Sequence, residues 1–293
     1  MQFEHLKTFC DLAETKSFTN AARIKGVTQS AVSQQITALE KHFDCLLVER
    51  SKNNFRLTPE GQVLYDCSKP ILQAYDAIQG KMQHLKSVIS GKIRVSTVFS
   101  IGLHDLPPYI ERFRKDYPDV NVQVKYRRAN LVYEDVLANS ADIGLVAYPA
   151  SGPQLEIVPL RKDPLVLICH PQHPFAKRKT IMLTEISGQK LIGFEADMPT
   201  RQALDKVFKE QGVTAAHIME FDHIEALKRA VEIDSGVAIV PERTIRREVK
   251  GQTLAAVYLQ GREWVRQLGV IYRKNKVLSP AMDRLIELLK NPI

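Results

Sequence analysis

A run of short polar side chains between residues 28 and 37 carries the clearest chemical signal in this 293-residue sequence. Within TQSAVSQQIT, hydroxyl and amide groups recur on one helical face, while apolar residues occupy the other. Amides can donate to and accept from base edges in a DNA major groove, and short hydroxyls let a backbone approach phosphates. The run therefore predicts a DNA-reading face. Its members are Thr28, Gln29, Ser30, Ser33, Gln34 and Thr37.

The segment after this helix favours nucleic acid over the competing interpretation, a plain solvated surface on a three-helix bundle. Gln and Ser are common surface residues, so the polar face alone leaves that alternative open. Two short extended segments flank the polar turn at residues 52–54, and they predict a small hairpin, or wing. Cations on the wing can contact phosphates or a minor groove. The predicted wing contacts are Arg50, Lys52 and Arg56.

The residues before the polar face predict the helices that position it. Apolar side chains recur at helical spacing over residues 3–15. Ser17 or Thr19 can cap a short second helix that ends before Gly26, and Thr28 can cap the third. Two helices joined by a tight turn are the arrangement in which the second helix enters the major groove. We therefore expect an all-α winged helix-turn-helix domain over residues 1–58.

A long helix is predicted after the wing. Thr58, Pro59 and Glu60 supply a cap, a proline at the first helical position and an acid near the positive end of the dipole. Apolar residues then recur in steps of three and four over about 30 residues, close to a heptad pattern. Self-pairing of a linker helix over 59–90 is predicted, with packing onto another domain of the chain as the alternative. The predicted dimerisation residues are Leu64, Ile71, Tyr75, Ile78, Met82 and Leu85.

This N-terminal part resembles the LysR-type transcriptional regulators. The resemblance lies in SFTNAARIKGVTQSAVSQQITALEKHFDCLLVER, in FRLTPEG and in the long helix that follows. It implies a winged helix-turn-helix, a linker-helix dimer and a C-terminal α/β, two-lobed effector domain like a periplasmic binding protein. It also implies a homotetramer that bends promoter DNA in response to a small molecule. Leu47 stands where the family usually has Phe, and Asn53-Asn54 where it often has Arg, which implies a weaker grip on phosphate.

Strands and helices alternate from Lys92 onwards, which predicts βαβ units and a mainly parallel sheet. Two series of elements predict two lobes within residues 91–293. Lobe I covers about 91–162 and 268–293, and lobe II about 163–267, with crossings near 161–164 and 261–268. Ligands in such folds bind where strands end and helices begin. The predicted effector-binding residues are Thr97, Ser100, Asn130, Thr200, Arg201, Phe221 and His223, several of which could equally be helix caps or surface residues.

Charge and cysteine content limit the function classes. The net charge of +8 favours an anionic partner, but residues 1–91 carry 11 Lys and Arg against 9 Asp and Glu, a balance of only +2. No apolar run approaches the about 18 residues of a membrane span, and the acidic start is unlike a secretion signal. The four cysteines form no CxxC pair. A cytoplasmic protein is therefore expected.

The motif content favours a regulator over an enzyme. The sequence contains no GxSxG, HExxH, Walker loop or GxGxxG after a strand, and His170 and His173 lack a third ligand for a metal. No metal or cofactor is expected. The expected partners are double-stranded DNA with a pseudo-palindromic site, a second copy of the chain and a small effector. Arg127, Arg128 and Arg201 near the cleft loops favour an anionic effector.

Two other functions remain open at this point. The chain could be an architectural DNA binder whose C-terminal lobes serve only as an oligomerisation scaffold. It could also be a small-molecule sensor or enzyme whose DNA-binding domain is vestigial.

Overall fold

The computed structural model describes residues 3–51, 54–84 and 89–292, and it contains two compact units, residues 1–82 and 83–293. The elements of the smaller unit are α1 (Phe3–Thr15), α2 (Phe18–Lys25), α3 (Gln29–Phe43), β1 (Val48–Ser51), β2 (Asn54–Leu57) and α4 (Pro59–His84). The last two residues of α4 belong to the larger unit. In the part of the chain that the structure describes, no helix is long and apolar enough to span a membrane.

The smaller unit has one apolar core beneath its first three helices. Helix caps set the chain direction between them. The Ser17 hydroxyl accepts from the backbone N–H of Asn20, Gly26 adopts a left-handed conformation at φ 66°, and the Thr28 hydroxyl accepts from the N–H of Ala31. These caps confirm the predicted helix-turn-helix. The buried core residues are Leu6, Phe9, Leu12, Ala21, Ala22, Val32, Ile36, Leu39, Leu47 and Val48.

The larger unit alternates strands and helices. Its strands are β3 (Gly91–Val98), β4 (Val120–Arg127), β5 (Ile143–Ala147), β6 (Leu155–Cys169), β7 (Thr180–Ile181), β8 (Lys190–Phe194), β9 (Ala216–Phe221), β10 (Ala238–Pro241), β11 (Ala255–Leu259) and β12 (Val265–Arg273). Its α-helices are α5 (Phe99–His104), α6 (Pro107–Asp116), α7 (Ala129–Leu137), α8 (Pro199–Glu210), α9 (Ile224–Glu232), α10 (Arg246–Lys250) and α11 (Pro280–Lys290). Short 3₁₀ helices lie at Pro174–Lys177, Leu183–Ile186 and Glu242–Ile245.

The main sheet is mixed, so the prediction of a mainly parallel sheet is wrong. Its strand order is β4-β3-β5-β12-β6-β11-β7, and β10 also pairs with β6. Strand β3 is parallel to β4 and β5, as βαβ units require. Strand β12, however, is antiparallel to β5 and β6, and β6 is antiparallel to β10 and β11. Because β12 brings the chain back along β6, these central strands must run in opposite directions.

Two lobes share strand β6. Its first part, up to Pro164, pairs with β12 beside the apolar core of β3, β5, α6 and α11, which forms the first lobe. From Leu165 onwards β6 pairs with β10 and β11 and contributes to the cores of the second lobe. The return crossing lies alongside, since the N–H of Leu165 donates to the carbonyl of Trp264 at 2.8 Å. The chain thus passes between the lobes twice, at neighbouring points.

A buried carboxylate ties the first lobe together. Asp142 accepts from the backbone N–H of Arg94 at 2.8 Å, from the Arg94 guanidinium and from Lys276 Nζ at 2.9 Å. Burial alone would raise the pKa of the Asp142 carboxyl. The hydrogen bonds and charges of Arg94 and Lys276 outweigh burial and hold that pKa well below its ordinary value of 3.8. Asp142 therefore stabilises the fold only in its charged form.

We expect Asp142→Asn to lower the free energy of unfolding by about 3 kcal/mol at neutral pH, because it leaves two partly buried cations, Arg94 and Lys276, without their counter-charge. The pKa of the Asp142 carboxyl is lower in the folded protein than in the unfolded chain. Its contribution to stability is therefore present above pH 3.8 and is lost as the pH falls towards the pKa of the folded state. Urea unfolding of the wild type and the variant, from neutral pH to about pH 3, should show that the difference between their unfolding free energies narrows in acid. The control, Glu111→Gln, removes an exposed partner of Lys115 and should change little. A gap that is constant with pH would contradict this role.

Candidate DNA-binding and effector-binding sites

Helix α3 presents a polar face to solvent because its other face is the core. Val32, Ile36 and Leu39 are completely buried. On the opposite side Thr28, Gln29, Ser30 and Gln34 are exposed, while Ser33 and Thr37 are half-buried. The Thr28 and Ser30 hydroxyls lie 2.9 Å apart at the start of the helix. The structure thus brings all six predicted residues together on one helix, four of them open to a ligand.

The start of α4 locks the wing to the helices. The Thr58 hydroxyl donates to the carbonyl of Leu46 at 2.6 Å and accepts from the N–H of Gly61 at 2.9 Å. A Cβ at Gly61 would lie 2.1 Å from the Leu47 carbonyl oxygen, so only glycine allows this approach. Further along α4, Lys69 pairs with Glu14 of α1. The wing, α1 and α4 therefore form one rigid support for α3.

The predicted wing cations are only partly described. Arg56 lies on β2, exposed to solvent, opposite Glu49 in the strand register. Arg50 is at its expected place on β1, but its side chain, like the whole of Lys52, lies outside the described residues. Arg56 is thus the wing residue for which phosphate contact can be argued from its position.

The apolar stripe of α4 divides into two parts. Leu64 packs against the core of its own unit. Ile71, Tyr75 and Ile78 remain exposed, and the Tyr75 ring lies 4.3 Å from that of Phe3. The side chain of Met82 and all of Leu85 lie outside the described residues. A stripe of exposed apolar side chains along one helix face is a surface that association would bury.

The first lobe contributes Thr97, Ser100 and Asn130 to the predicted effector site. Thr97 is completely buried and its hydroxyl donates to the carbonyl of Leu145 at 3.3 Å. Asn130, at the start of α7, is exposed. Ser100 Oγ accepts from Arg266 Nη1 at 3.0 Å. Of these three residues, Asn130 presents the most accessible polar group.

Arg266 is itself half of a buried ion pair at the crossing. Its Nε donates to Asp163 Oδ2 at 2.8 Å, and both side chains are almost completely buried. Sequence reasoning missed this pair. The only signal was a single charge within each otherwise apolar strand segment, in DPLVLIC and in WVRQLGV.

The second lobe contributes Thr200, Arg201, Phe221 and His223. Thr200 is buried in the first turn of α8, and Phe221 is half-buried against the lobe core. His223 caps α9, since its Nδ1 accepts from the N–H of Glu225, and its ring lies 4.4 Å from that of Phe99 in the first lobe. The predicted loops of the two lobes therefore meet at Phe99 and His223.

The arginines that favoured an anionic effector are already paired with protein carboxylates. Arg127 Nε lies 3.3 Å from Asp135. Arg128 Nη2 donates to Glu195 and Asp197. Arg201 binds Asp205, Glu220 and the carbonyl of Phe194. A ligand carboxylate would have to displace these partners. The three arginines therefore give no support to an anionic effector. In the described residues no group of three or more His, Cys, Asp and Glu could hold a metal ion.

Comparison with known proteins matches both units. The family model for the bacterial regulatory helix-turn-helix protein, lysR family, matches residues 3–62, and that for the LysR substrate binding domain matches residues 86–292. The transcriptional activator CmpR of Synechocystis is 30% identical over 288 residues, covering 98% of this chain and 93% of that protein. The regulator CysL of Bacillus subtilis is 28% identical, covering 97% and 93%. Full-length OxyR of Pseudomonas aeruginosa superposes with a TM-score of 0.76 at 20% identity, covering 99% and 93%.

We expect Arg201→Met to lower the stability of the larger unit by about 1–3 kcal/mol, because three acceptors lose their donor. Unfolding followed by circular dichroism measures the effect. Lys209→Met, on an exposed position of the same helix, is the matched control and should remain near the wild type. Wild-type stability of Arg201→Met would contradict a structural role and return this arginine to the list of ligand contacts.

Proposed function

The chain belongs to the LysR family of bacterial helix-turn-helix regulators, and we propose that it reads DNA with the polar face of α3 and binds its effector between the lobes of the larger unit. It is a transcriptional regulator with a DNA-binding helix-turn-helix domain and an effector-binding domain. The family is one of regulators, and we propose no catalytic role. The proposed place of action is the cytoplasm.

The exposed face of α3 is the observation that carries the DNA-reading proposal. A recognition helix places the residues of its N-terminal half against base edges in the major groove. Gln29 and Gln34 are exposed there. Each side-chain amide has a donor and an acceptor, which match the acceptor and the donor on the major-groove edge of adenine. Thr28, Ser30, Ser33 and Thr37 are short enough to let the helix approach the groove closely. Arg56 and, by their place on the wing, Arg50 and Lys52 are the proposed phosphate contacts.

Self-association is proposed to run along α4. Ile71, Tyr75 and Ile78 supply an exposed apolar stripe, and pairing with a second copy would remove it from water. Two-fold symmetry then presents two α3 helices to two half-sites of a pseudo-palindromic promoter. We propose that the complete assembly is a homotetramer. In each chain we propose a DNA-binding domain at 1–58, a linker helix at 59–90 and an effector domain at 91–293.

The effector is proposed to bind among Thr97, Ser100, Asn130, Thr200, Arg201, Phe221 and His223, at strand ends and helix starts of the two lobes. Support comes from the exposure of Asn130 and from the meeting of the two lobes at Phe99 and His223, whereas Thr97 and Arg201 are occupied by protein partners and shape the walls. A ligand acts only if it prefers one arrangement of the lobes. Its preference would then change promoter bending, which costs about 1–6 kcal/mol.

We expect Gln29→Ala to weaken binding to a duplex selected in vitro from random sequences by about 1–3 kcal/mol, because a base contact is lost. Fluorescence anisotropy gives the affinity for the selected duplex and for random-sequence DNA, where little change is expected. Gln62→Ala removes the same group from an exposed position on α4 and is the control. Equal losses on both duplexes would refute base reading by Gln29.

Arg56→Ala should weaken binding to every sequence alike, because phosphate contacts carry no sequence information. The slope of log affinity against log salt should fall by about 1. Arg112→Ala, an exposed arginine on α6 of the larger unit, is the charge-matched control and should leave the slope unchanged. A loss confined to the selected duplex would show that Arg56 reads a base instead.

A further inference from the structure

Two groups of ion pairs that connect the lobes of the larger unit differ in burial. A separate contact also joins the lobes, between His104 Nε2 and Glu225 Oε1 at 2.7 Å. We call Asp105, Arg161 and Arg243 the pivot, and Arg128, Glu195, Asp197 and Asp222 the latch. Each group joins a residue of the first lobe to residues of the second lobe or of the crossing strand β6. Because burial decides how strongly water and salt compete with an ion pair, the two groups differ in how easily they break.

The pivot is buried and fully satisfied at its carboxylate. Asp105 follows α5 in the first lobe, and its Oδ1 accepts from Arg243 Nη1 of the second lobe at 2.8 Å. Its Oδ2 accepts from Arg161 of β6, whose guanidinium also lies over the ring of Tyr109 at 5.0 Å. The Asp105 and Arg161 side chains are only 7% and 12% exposed. Removing one partner would leave an uncompensated buried charge, so the pivot resists opening.

The latch lies at the ends of the strands that border the proposed effector site. Arg128 precedes α7 in the first lobe. Its Nη2 donates to Glu195 Oε2 at 2.6 Å and to Asp197 Oδ1 at 2.8 Å, both in the loop before α8. Its Nη1 lies 3.7 Å from Asp222, in the loop before α9. Arg128, Asp197 and Asp222 are within three positions of Asn130, Thr200 and His223, so a ligand entering between those loops meets the latch.

The latch is exposed and electrostatically one-sided. Arg128 is 32% exposed and Asp197 66%. One cation faces three carboxylates, a formal balance of +1 − 3 = −2. Without Arg128, these three carboxylates of the second lobe would lose the first-lobe cation that pairs with them. The contact is therefore weak enough to be released, and while it is made it draws the two sets of loops together.

We propose that Arg128 is a releasable latch that holds the two lobes together at the effector site, while Asp105 is the fixed pivot about which they open. The link to promoter control rests on the proposed function, but the opening itself is a property of the protein without DNA. Release of the latch, by salt or by an occupant of the site, separates the loops around Phe99 and His223 and leaves the pivot intact.

Hydrogen exchange of the full chain, read by mass spectrometry without DNA, tests this proposal. At about 0.01 M NaCl, where charges are least screened, Arg128→Gln should speed exchange about threefold or more at residues 99–104 and 221–225. Residues 99–104 face the second lobe through Phe99–His223 and His104–Glu225, which are not pairs of Arg128, so their response reports lobe separation. The segment 161–166 beside the pivot should keep its protection.

Salt and a charge-matched control complete the test. About 1 M NaCl should raise exchange in the wild type to the level of Arg128→Gln and add little in the variant. Arg112→Gln, which removes an exposed helix-surface pair with Asp116, should match the wild type. Unchanged exchange at residues 99–104 in Arg128→Gln, or an equal rise in Arg112→Gln, overturns the latch.

Exchanging the charges of Arg128 and Glu195 distinguishes loss of their ion pair from general misfolding of the variant. Arg128→Glu should open the lobes further than Arg128→Gln, and adding Glu195→Arg should restore at least part of the protection at residues 99–104. Failure of the double variant to recover any protection contradicts a latch made by this pair. Because no DNA is present, the latch can fail while DNA reading by α3 stands, and DNA reading can fail while the latch stands.

Discussion

The pairing of β6 with β12 is the constraint on which the larger unit depends. Strand β6 runs from the first lobe into the second, and β12 lies against it from the point where the chain returns. The lobes are thus joined covalently by two crossings that lie side by side. The register shifts between Gln267 and Gly269, where the Gln267 side chain donates to the carbonyl of Leu160. The buried Arg266–Asp163 pair stabilises the same crossing, and Arg266 also donates a hydrogen bond to Ser100.

The smaller unit follows a different logic, in which a core on one side creates a binding face on the other. Because α3 buries Val32, Ile36 and Leu39 against α1 and α2, its hydroxyl and amide side chains must face water. The close approach at Gly61 then fixes the wing beside that face. In the proposed function, the short polar groups on this supported helix read the bases, and the wing cations supply the phosphate contacts.

Local features of the sequence predicted much of this arrangement. Caps at Ser17 and Thr28, the turn at Gly26 and the helical periodicity of α1 to α4 depend on residues a few positions apart, which a sequence displays directly. The strand ends that carry the candidate effector residues were likewise predictable from alternation of strands and helices. The direction of pairing in the central sheet was not, because apolar strand segments look alike in either direction.

Side-chain partners distant in sequence could not be predicted. Arg128 pairs with carboxylates 67 and 69 positions away, and Arg266 with one 103 positions away. The sequence displays such arginines only as cations without partners, which is why Arg128, with Arg127 and Arg201, favoured an anionic effector. With the partners known, Arg128 joins the two lobes, whereas Arg127 and Arg201 are each paired within one lobe. Buried ion pairs and cross-lobe contacts are thus where the folded molecule adds most to its sequence.

The most direct test of the central claim is photo-crosslinking from α3 to a duplex selected by the protein itself. A cleavable photo-reactive group attached through Gln34→Cys, in a chain whose exposed Cys67 is replaced by serine, would mark the bases nearest the helix. Adducts confined to major-groove base edges in two symmetric half-sites are predicted, with none from the same group attached through Gln62→Cys. Adducts scattered along the duplex, or none from α3, would contradict the account.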